Sequence, residues 1–186
     1  MQRWEIEAAI NTARTWALET FTAMSPEELS RPATHSGADH SRMWTARDHF
    51  LHLAGPEGAV IEAIRRQLAG EEFPYPQFIG PDGPVPREQF VASLNAWNDA
   101  WLDEHAGYTV EDEVALGQRQ RAVTLQLLSE TTDQQLAQPL RNMPWSAFVA
   151  TLGELFALNA RHAHGHHQQV LDGWAALQQA GLPAGN

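Results

Sequence analysis

Four of the nine histidines in this 186-residue chain fall within six positions, in the stretch RHAHGHHQQV at residues 161–170. Imidazole side chains bind metal ions and transfer protons, so the first question is which of these rings point the same way. In a helix that advances about 100° per residue, His162 and His166 lie on one face, in line with the apolar residues before and after them. His164 points to the opposite side and His167 to the flank. The stretch therefore contains one inward HxxxH pair.

An HxxxH pair on an apolar stripe has three explanations, which the sequence leaves open. Each neutral ring has one donor and one acceptor nitrogen, so the pair could be core histidines that bond to carbonyls or carboxylates. The two rings could bind a metal ion as an i, i+4 pair, as in zinc-binding helices. The helix could also be shorter, which would leave both rings exposed. The HExxH metalloprotease motif is absent, because Ala163, His164 and Gly165 separate the two histidines.

A metal site would need a third ligand from another part of the chain. The chain has no cysteine, so the ligand must be nitrogen or oxygen. The other donors in a predicted helix are His49 and His52. His52 shares a face with Gly55, Ala59 and Ala63, a strip of small residues that allows another helix to approach. His49 is either a partner of a ligand or a surface residue, and the spacing does not choose between the two histidines.

The elements that would position these residues are predicted to be helices. The predicted helical regions are about Arg3 to Thr22, Thr45 to Ala69, Arg87 to Ser129 with an interruption at Gly107, and Ser146 to Gln179. Pro56 lies inside the second region and predicts a kink there, or a helix that starts near Pro56. Residues 31–43 have the composition of a loop, and strand-type alternation is not seen anywhere. The pattern predicts an all-α four-helix bundle with long connections, formed as one domain by residues 1–186.

A long proline- and glycine-rich connection, GEEFPYPQFIGPDGPVP at residues 70–86, also contains aromatic residues. Such a segment is either a lid or pocket wall or a loop anchored to the core by its aromatic rings. Tyr75 in this connection is a candidate pocket residue, as are Asn159 and Gln169 near the HxxxH pair.

The overall charge and hydropathy restrict the partners that we expect. The formal net charge is −11, which argues against nucleic acid and anionic membrane surfaces as partners. No window approaches the roughly 20 apolar residues of a membrane span, and the N-terminus lacks a signal-peptide core. We therefore expect a cytoplasmic protein with a small-molecule substrate. Because cysteine is absent, any thiol chemistry would use an external thiol.

Two stretches resemble signatures of the DinB-like (YfiT-like) superfamily of metal-dependent enzymes. WTARDHFLHLAG is similar to the second-helix signature, in which a tryptophan opens the helix and a histidine follows eight positions on, here Trp44 and His52. RHAHGHHQQVLDGW is similar to the last-helix signature, which His162, His166, Gln169 and Val170 match. The stretch LNAWNDAWLDEHAGYTVEDEV resembles the branch that includes the ClbS/DfsB-type and mycothiol-dependent maleylpyruvate isomerase-like proteins.

This resemblance implies a four-helix bundle, often a homodimer, that holds zinc or nickel with three histidines. The matching residues are His52, His162 and His166, and His49 would then support a ligand. The leading hypothesis is a metal-dependent enzyme that acts as a thiol-dependent S-transferase or isomerase, with a low-molecular-weight thiol as cofactor, or as a hydrolase. The alternative is a non-catalytic bundle that binds and sequesters a small molecule, as a self-resistance protein would.

Overall fold

The computed structural model describes residues 1–71, 79–80, 83–141 and 144–180, so the candidate pocket residue Tyr75 lies outside the described residues. Among the described residues the elements are, in chain order, α1 (Arg3–Thr22), α2 (Pro26–Ser30), β1 (Pro32–His35), β2 (Met43–Thr45), α3 (Ala46–Ala69), β3 (Ile79–Gly80), β4 (Gly83–Pro84), α4 (Arg87–Glu104), α5 (Val110–Glu130), α6 (Asp133–Leu136), a 3-10 turn (Pro144–Ala147) and α7 (Leu152–Gln179).

The long helices α1, α3, α5 and α7 pack together as a four-helix bundle, which confirms the predicted all-α fold. Their shared core includes Ile6, Ile10, Val60, Ile64, Leu128, Leu155 and Phe156, all buried. Helix α4 packs on α3 and adds the buried ring of Phe90 to this core, and the indole of its Trp101 covers Gly55. A Cβ atom at Gly55 would lie 2.9 Å from that indole, so glycine at this position of the strip of small residues admits the Trp101 ring of α4.

The beginning of α3 follows the local sequence. The Thr45 hydroxyl accepts a hydrogen bond from the Asp48 backbone N–H, and the Asp48 carboxylate accepts one from the Thr45 N–H at 2.8 Å, which makes a complete capping box. The helix continues through Pro56 to Ala69 and is capped by Gly70, which has a left-handed φ of 72°. The alternative start near Pro56 is therefore wrong. Pro56 removes one hydrogen bond, but the turns on both sides of it are buried in the bundle.

Helix α7 begins at Leu152, six positions after the predicted start near Ser146. Thr151 caps the helix by accepting from the Glu154 N–H, and the residues before it leave the helical path. The Leu140 N–H donates to the Ala150 carbonyl at 3.1 Å, which holds this approach as an extended segment. The segment before α7 is consequently a connection with its own 3-10 turn.

The expected loop at residues 31–43 contains two short antiparallel strands, β1 and β2, with Thr34 opposite Trp44. The prediction of no strands is wrong here, because elements of three or four residues are too short to show a period of two. Strand β1 lies against α7 at Gly173, where a Cβ atom would stand 2.7 Å from the Ala33 carbonyl carbon. Glycine therefore allows the strand to contact the helix backbone directly.

The hairpin formed by β1 and β2 is also fixed to α4 by Asp99. The Ser36 hydroxyl donates to one carboxylate oxygen of Asp99 at 2.6 Å, and the Trp44 indole N–H donates to the other at 2.8 Å. These bonds set the position of Trp44 above the first turns of α3. No helix in the described ranges is long and apolar enough to cross a membrane.

Candidate metal centre

Three imidazole rings converge between α3 and α7. His52, His162 and His166 each offer one ring nitrogen, and these nitrogens all lie within 4.8 Å of one another. The Nε2 atom of His162 is 2.8 Å from Nε2 of His166 and 3.3 Å from Nε2 of His52. A neutral ring has either one proton or one lone pair at Nε2, so this atom can form a hydrogen bond with only one of its two neighbours.

The same arrangement fits a cation. Two nitrogen ligands at about 2.0–2.1 Å from a tetrahedral ion are separated by roughly 3.3–3.4 Å, close to the observed spacing of His52 and His162. A cation at the point of convergence would accept all three lone pairs. The donor set therefore satisfies the chemistry of a three-histidine site for zinc, nickel or a similar divalent ion.

Burial keeps these rings in the form that ligates metals. Desolvation lowers the pKa of His162 to about 4, and it lowers the pKa of His52 and His166 well below the ordinary value of 6.5. Charge on neighbouring imidazoles lowers the pKa of His52 and His166 further. The rings are consequently neutral at physiological pH, and metal binding would not have to displace protons from them.

His49 lies behind His166 and faces the other nitrogen of that ring. Nδ1 of His49 is 2.9 Å from Nδ1 of His166, and Nε2 of His49 is 2.9 Å from the Thr34 hydroxyl oxygen. One set of tautomers satisfies both contacts and leaves the Nε2 lone pair of His166 free. In this set of tautomers, the His166 Nδ1–H donates to Nδ1 of His49, and the His49 Nε2–H donates to the hydroxyl oxygen of Thr34. Burial lowers the pKa of His49 to about 4, in agreement with a neutral acceptor ring.

Trp44 forms one wall of the histidine cluster. Its ring lies 5.1 Å from the ring of His52, 5.3 Å from that of His49 and 6.5 Å from that of His166, and only 7% of the residue is exposed. Because Asp99 holds the indole N–H, the apolar face of the ring is presented to the histidines. Trp44 therefore screens the cluster from water on this side.

A cavity of about 530 Å³ opens beside the three rings. Its described lining residues are Thr34, His35, Gly37, Trp44, His49, His52, Pro56, Leu94, Asn95, Asn98, Trp145, Phe148, Leu158, Asn159, His162, His166 and Gln169. The candidate pocket residues Asn159 and Gln169 are among them. A volume of this size accommodates a small molecule next to the cluster.

The remaining histidines of the last helix lie apart from the cluster. His164 is exposed, and its ring is 4.0 Å from that of Trp16. His167 packs edge-on against Trp16 and Phe21, at 5.0 and 6.0 Å between ring centres. Both rings contact α1 instead of the three converging rings, and the helical spacing correctly separates them from the HxxxH pair.

Several residues around the cavity carry no signal that sequence reasoning could use. Thr34 and His35 come from β1, where the composition predicts a loop, and Phe148 comes from the connection before α7. Only Asn95 and Asn98 have a usable signal, since two carboxamides three positions apart share a helix face. The others are brought to the cavity by tertiary contacts that leave no periodic pattern.

Comparison with known proteins agrees with the fold. An uncharacterised protein from Escherichia coli UTI89 superposes with a TM-score of 0.64 at 16% sequence identity, over 98% of this chain and 96% of that chain. The colibactin self-resistance protein ClbS, crystallised in complex with a dsDNA, superposes with a TM-score of 0.66 at 15% identity, over 95% of each chain. No curated protein shows significant similarity in sequence.

The ClbS complex corrects one expectation from composition. The net charge of −11 argues against nucleic acid as a partner, yet a protein of this fold has been crystallised with a duplex. Net charge is a sum over the whole surface, whereas contact with phosphates requires only a local arrangement of cationic and backbone groups, so the sum does not support the exclusion. The family model of the DinB superfamily matches residues 9–170, and this chain belongs to the DinB superfamily.

Proposed function

We propose that this protein is a metal-dependent enzyme in which His52, His162 and His166 hold a zinc or nickel ion next to a substrate cavity. The observation that carries the proposal is the convergence of three neutral imidazole nitrogens at the wall of a 530 Å³ cavity. Three protein ligands leave a coordination position open, which is the arrangement of catalytic rather than structural sites. A divalent ion bound there would supply Lewis acidity and activate water or an external thiol as a nucleophile.

The chain's own residues would orient the ligands and exclude water. His49 and Thr34 fix the tautomer of His166, and Trp44 covers the cluster. The described lining of the cavity contains no carboxylate, so a proton released there would pass to solvent or to His35, whose imidazole is exposed at the cavity. The attacking thiol, in a transferase, would come from solution because the chain has no cysteine.

Metal analysis combined with an activity screen tests this proposal. Protein purified without an affinity tag should contain, or take up, one divalent ion per chain. His162→Ala should lose the ion, whereas His164→Ala, a matched change on the exposed face of the same helix, should retain it. Wild-type protein should catalyse a thiol-transfer or hydrolytic reaction that the His162→Ala variant does not. Failure to bind zinc or nickel in any of these preparations would contradict the proposal.

A second candidate is a binding protein that sequesters a small molecule without turnover. The aromatic lining and the lack of a carboxylate in the described part of the cavity favour it. A ligand that is recovered unchanged from both metal-loaded and metal-depleted protein would support this function, and metal-dependent turnover would exclude it. Because the related fold of ClbS has been crystallised with a dsDNA, a duplex belongs among the ligands tested.

A further inference from the structure

The described lining of the cavity carries no charged side chain. Its members are imidazoles, carboxamides, a threonine, aromatic rings and aliphatic residues. The chain has no lysine at all, and Arg87, which packs over the ring of Phe148, is not part of the lining. An anionic group placed in this lining would lose hydration without gaining an opposite charge, so the cavity away from the three rings favours uncharged ligands.

Four carboxamides nevertheless line the cavity: Asn95, Asn98, Asn159 and Gln169. Asn98 is only 7% exposed, and its side-chain oxygen is buried without a hydrogen-bond partner in the described part of the chain. A buried amide oxygen without a hydrogen-bond partner is destabilising, and native proteins rarely retain such groups without a use. Because the carboxamide torsion is broad and two-fold, either end of Asn98 can turn to a bound group.

Asn95 is held close to Asn98 by the hairpin. Gly37 in the hairpin loop lies directly against Asn95, where a Cβ atom would meet its carboxamide carbon at 2.7 Å. The loop is fixed in this position because the adjacent Ser36 donates to Asp99, which follows Asn98 on α4. Asn95 and Asn98 therefore lie on a face of α4 that the hairpin loop holds in place. Because Gly37 has no side chain, it leaves the space that the Asn95 side chain occupies.

We infer that the cavity takes an uncharged, flat molecule with an amide or a comparable donor–acceptor group, which bonds to Asn95 and Asn98. The rings of Trp44, Trp145 and Phe148 supply apolar faces for its planar part. The inference rests on the proposed function, in that the other end of the molecule would reach the three histidines. It adds the class of substrate, a neutral amide rather than a carboxylate or phosphate.

Two matched thiols test this inference on zinc-loaded protein. 4-(Mercaptomethyl)benzamide and 4-(mercaptomethyl)benzoate share a thiol that can bind zinc and a ring of the same size, and they differ only in the distal group. Titration calorimetry should show that the amide binds at least about tenfold more tightly, the value of one hydrogen bond to a neutral partner. Equal affinities, or tighter binding of the benzoate, would overturn the inference.

Benzamide and benzoate, tested on protein depleted of metal with a chelator, separate this inference from the metal proposal. If metal-free protein prefers benzamide, and if supplying zinc and a thiol group on the probe does not raise the affinity, the result would support the amide site and contradict the metal site. Thiol probes that bind through zinc without an amide preference would support the metal site and contradict the amide site.

Asn98→Leu, which keeps the branched shape of the side chain and removes the amide, should reduce benzamide affinity about tenfold and leave that of benzoate unchanged. The control Asn11→Leu makes the same change on α1, away from the cavity, and should keep the preference. An Asn98→Leu variant that folds and binds benzamide like wild type would overturn the role of Asn98. If this variant does not fold, the comparison of the two thiols on wild-type protein still decides the inference.

Discussion

Replacing His49 with phenylalanine should weaken metal binding, although His49 is not proposed as a ligand. When His166 binds a cation through Nε2, its Nδ1 carries the proton, and the buried acceptor for that proton is Nδ1 of His49 at 2.9 Å. Phenylalanine fills the space but leaves the N–H without a partner, at a cost of about 1–3 kcal/mol. In the metal-free variant, His166 can shift its proton to Nε2 and donate to His162 at 2.8 Å, so the cost falls on the metal-bound form.

That cost corresponds to a loss of about 5- to 150-fold in zinc affinity, similar to the effect expected for residues that orient metal ligands. Competition with a chromophoric chelator at neutral pH measures the difference. The control His167→Phe changes a ring that packs against Trp16 and Phe21, and it should bind zinc like wild type. If His49→Phe binds zinc with wild-type affinity, the hydrogen bond does not orient His166. If it abolishes binding while His52→Ala retains it, the ligand on α3 is His49.

Three further predictions concern other contacts of the fold. Gly173→Ala should lower the free energy of unfolding by about 1–3 kcal/mol in urea titrations, because the new methyl group meets the backbone of β1; an unchanged midpoint would contradict this contact. Gly37→Ala should displace Asn95 and weaken benzamide binding severalfold without changing zinc affinity, and a joint loss of both would show a wider disturbance. Burial outweighs the attraction of Arg47 and raises the pKa of Glu113 from 4.5 to about 7, so the native state binds this proton more tightly than the unfolded state. The free energy of unfolding of the wild type should therefore fall relative to that of Glu113→Gln as the pH rises from about 4.5 to 7, and the difference should stay constant above pH 7. A difference that does not vary with pH would contradict the raised pKa of Glu113.

The sequence is informative where the signal is local. The capping box of Thr45 and Asp48 is complete within four residues, and it locates the start of α3 correctly. The inward pair His162 and His166 follows from helical geometry alone, since residues four apart share a face wherever the helix lies. The start of α7 also has a local cap, at Thr151 and Glu154, and the predicted start near Ser146 is too early because the extended segment held by the Leu140 N–H and the Ala150 carbonyl precedes the helix.

The choice between His49 and His52 illustrates what the sequence lacks. Both residues are 2% exposed on the same helix, so neither burial nor spacing distinguishes them. They differ in which element they face: His52 points to His162 on α7, whereas His49 lies between His166 and Thr34 of β1. That difference exists only after β1 has packed against α7. Thr34 and His35, which reach the cavity from β1, are unpredictable for the same reason.

The most direct test of the three-histidine site is anomalous diffraction from crystals of zinc-loaded protein, measured on both sides of the zinc absorption edge. We expect one anomalous peak per chain, about 2.0–2.1 Å from a ring nitrogen of His52, His162 and His166, with His49 bonded to His166 and outside the coordination sphere. A peak coordinated by His49 in place of His52, or no peak between these rings in crystals that bind zinc elsewhere, would contradict the proposed site.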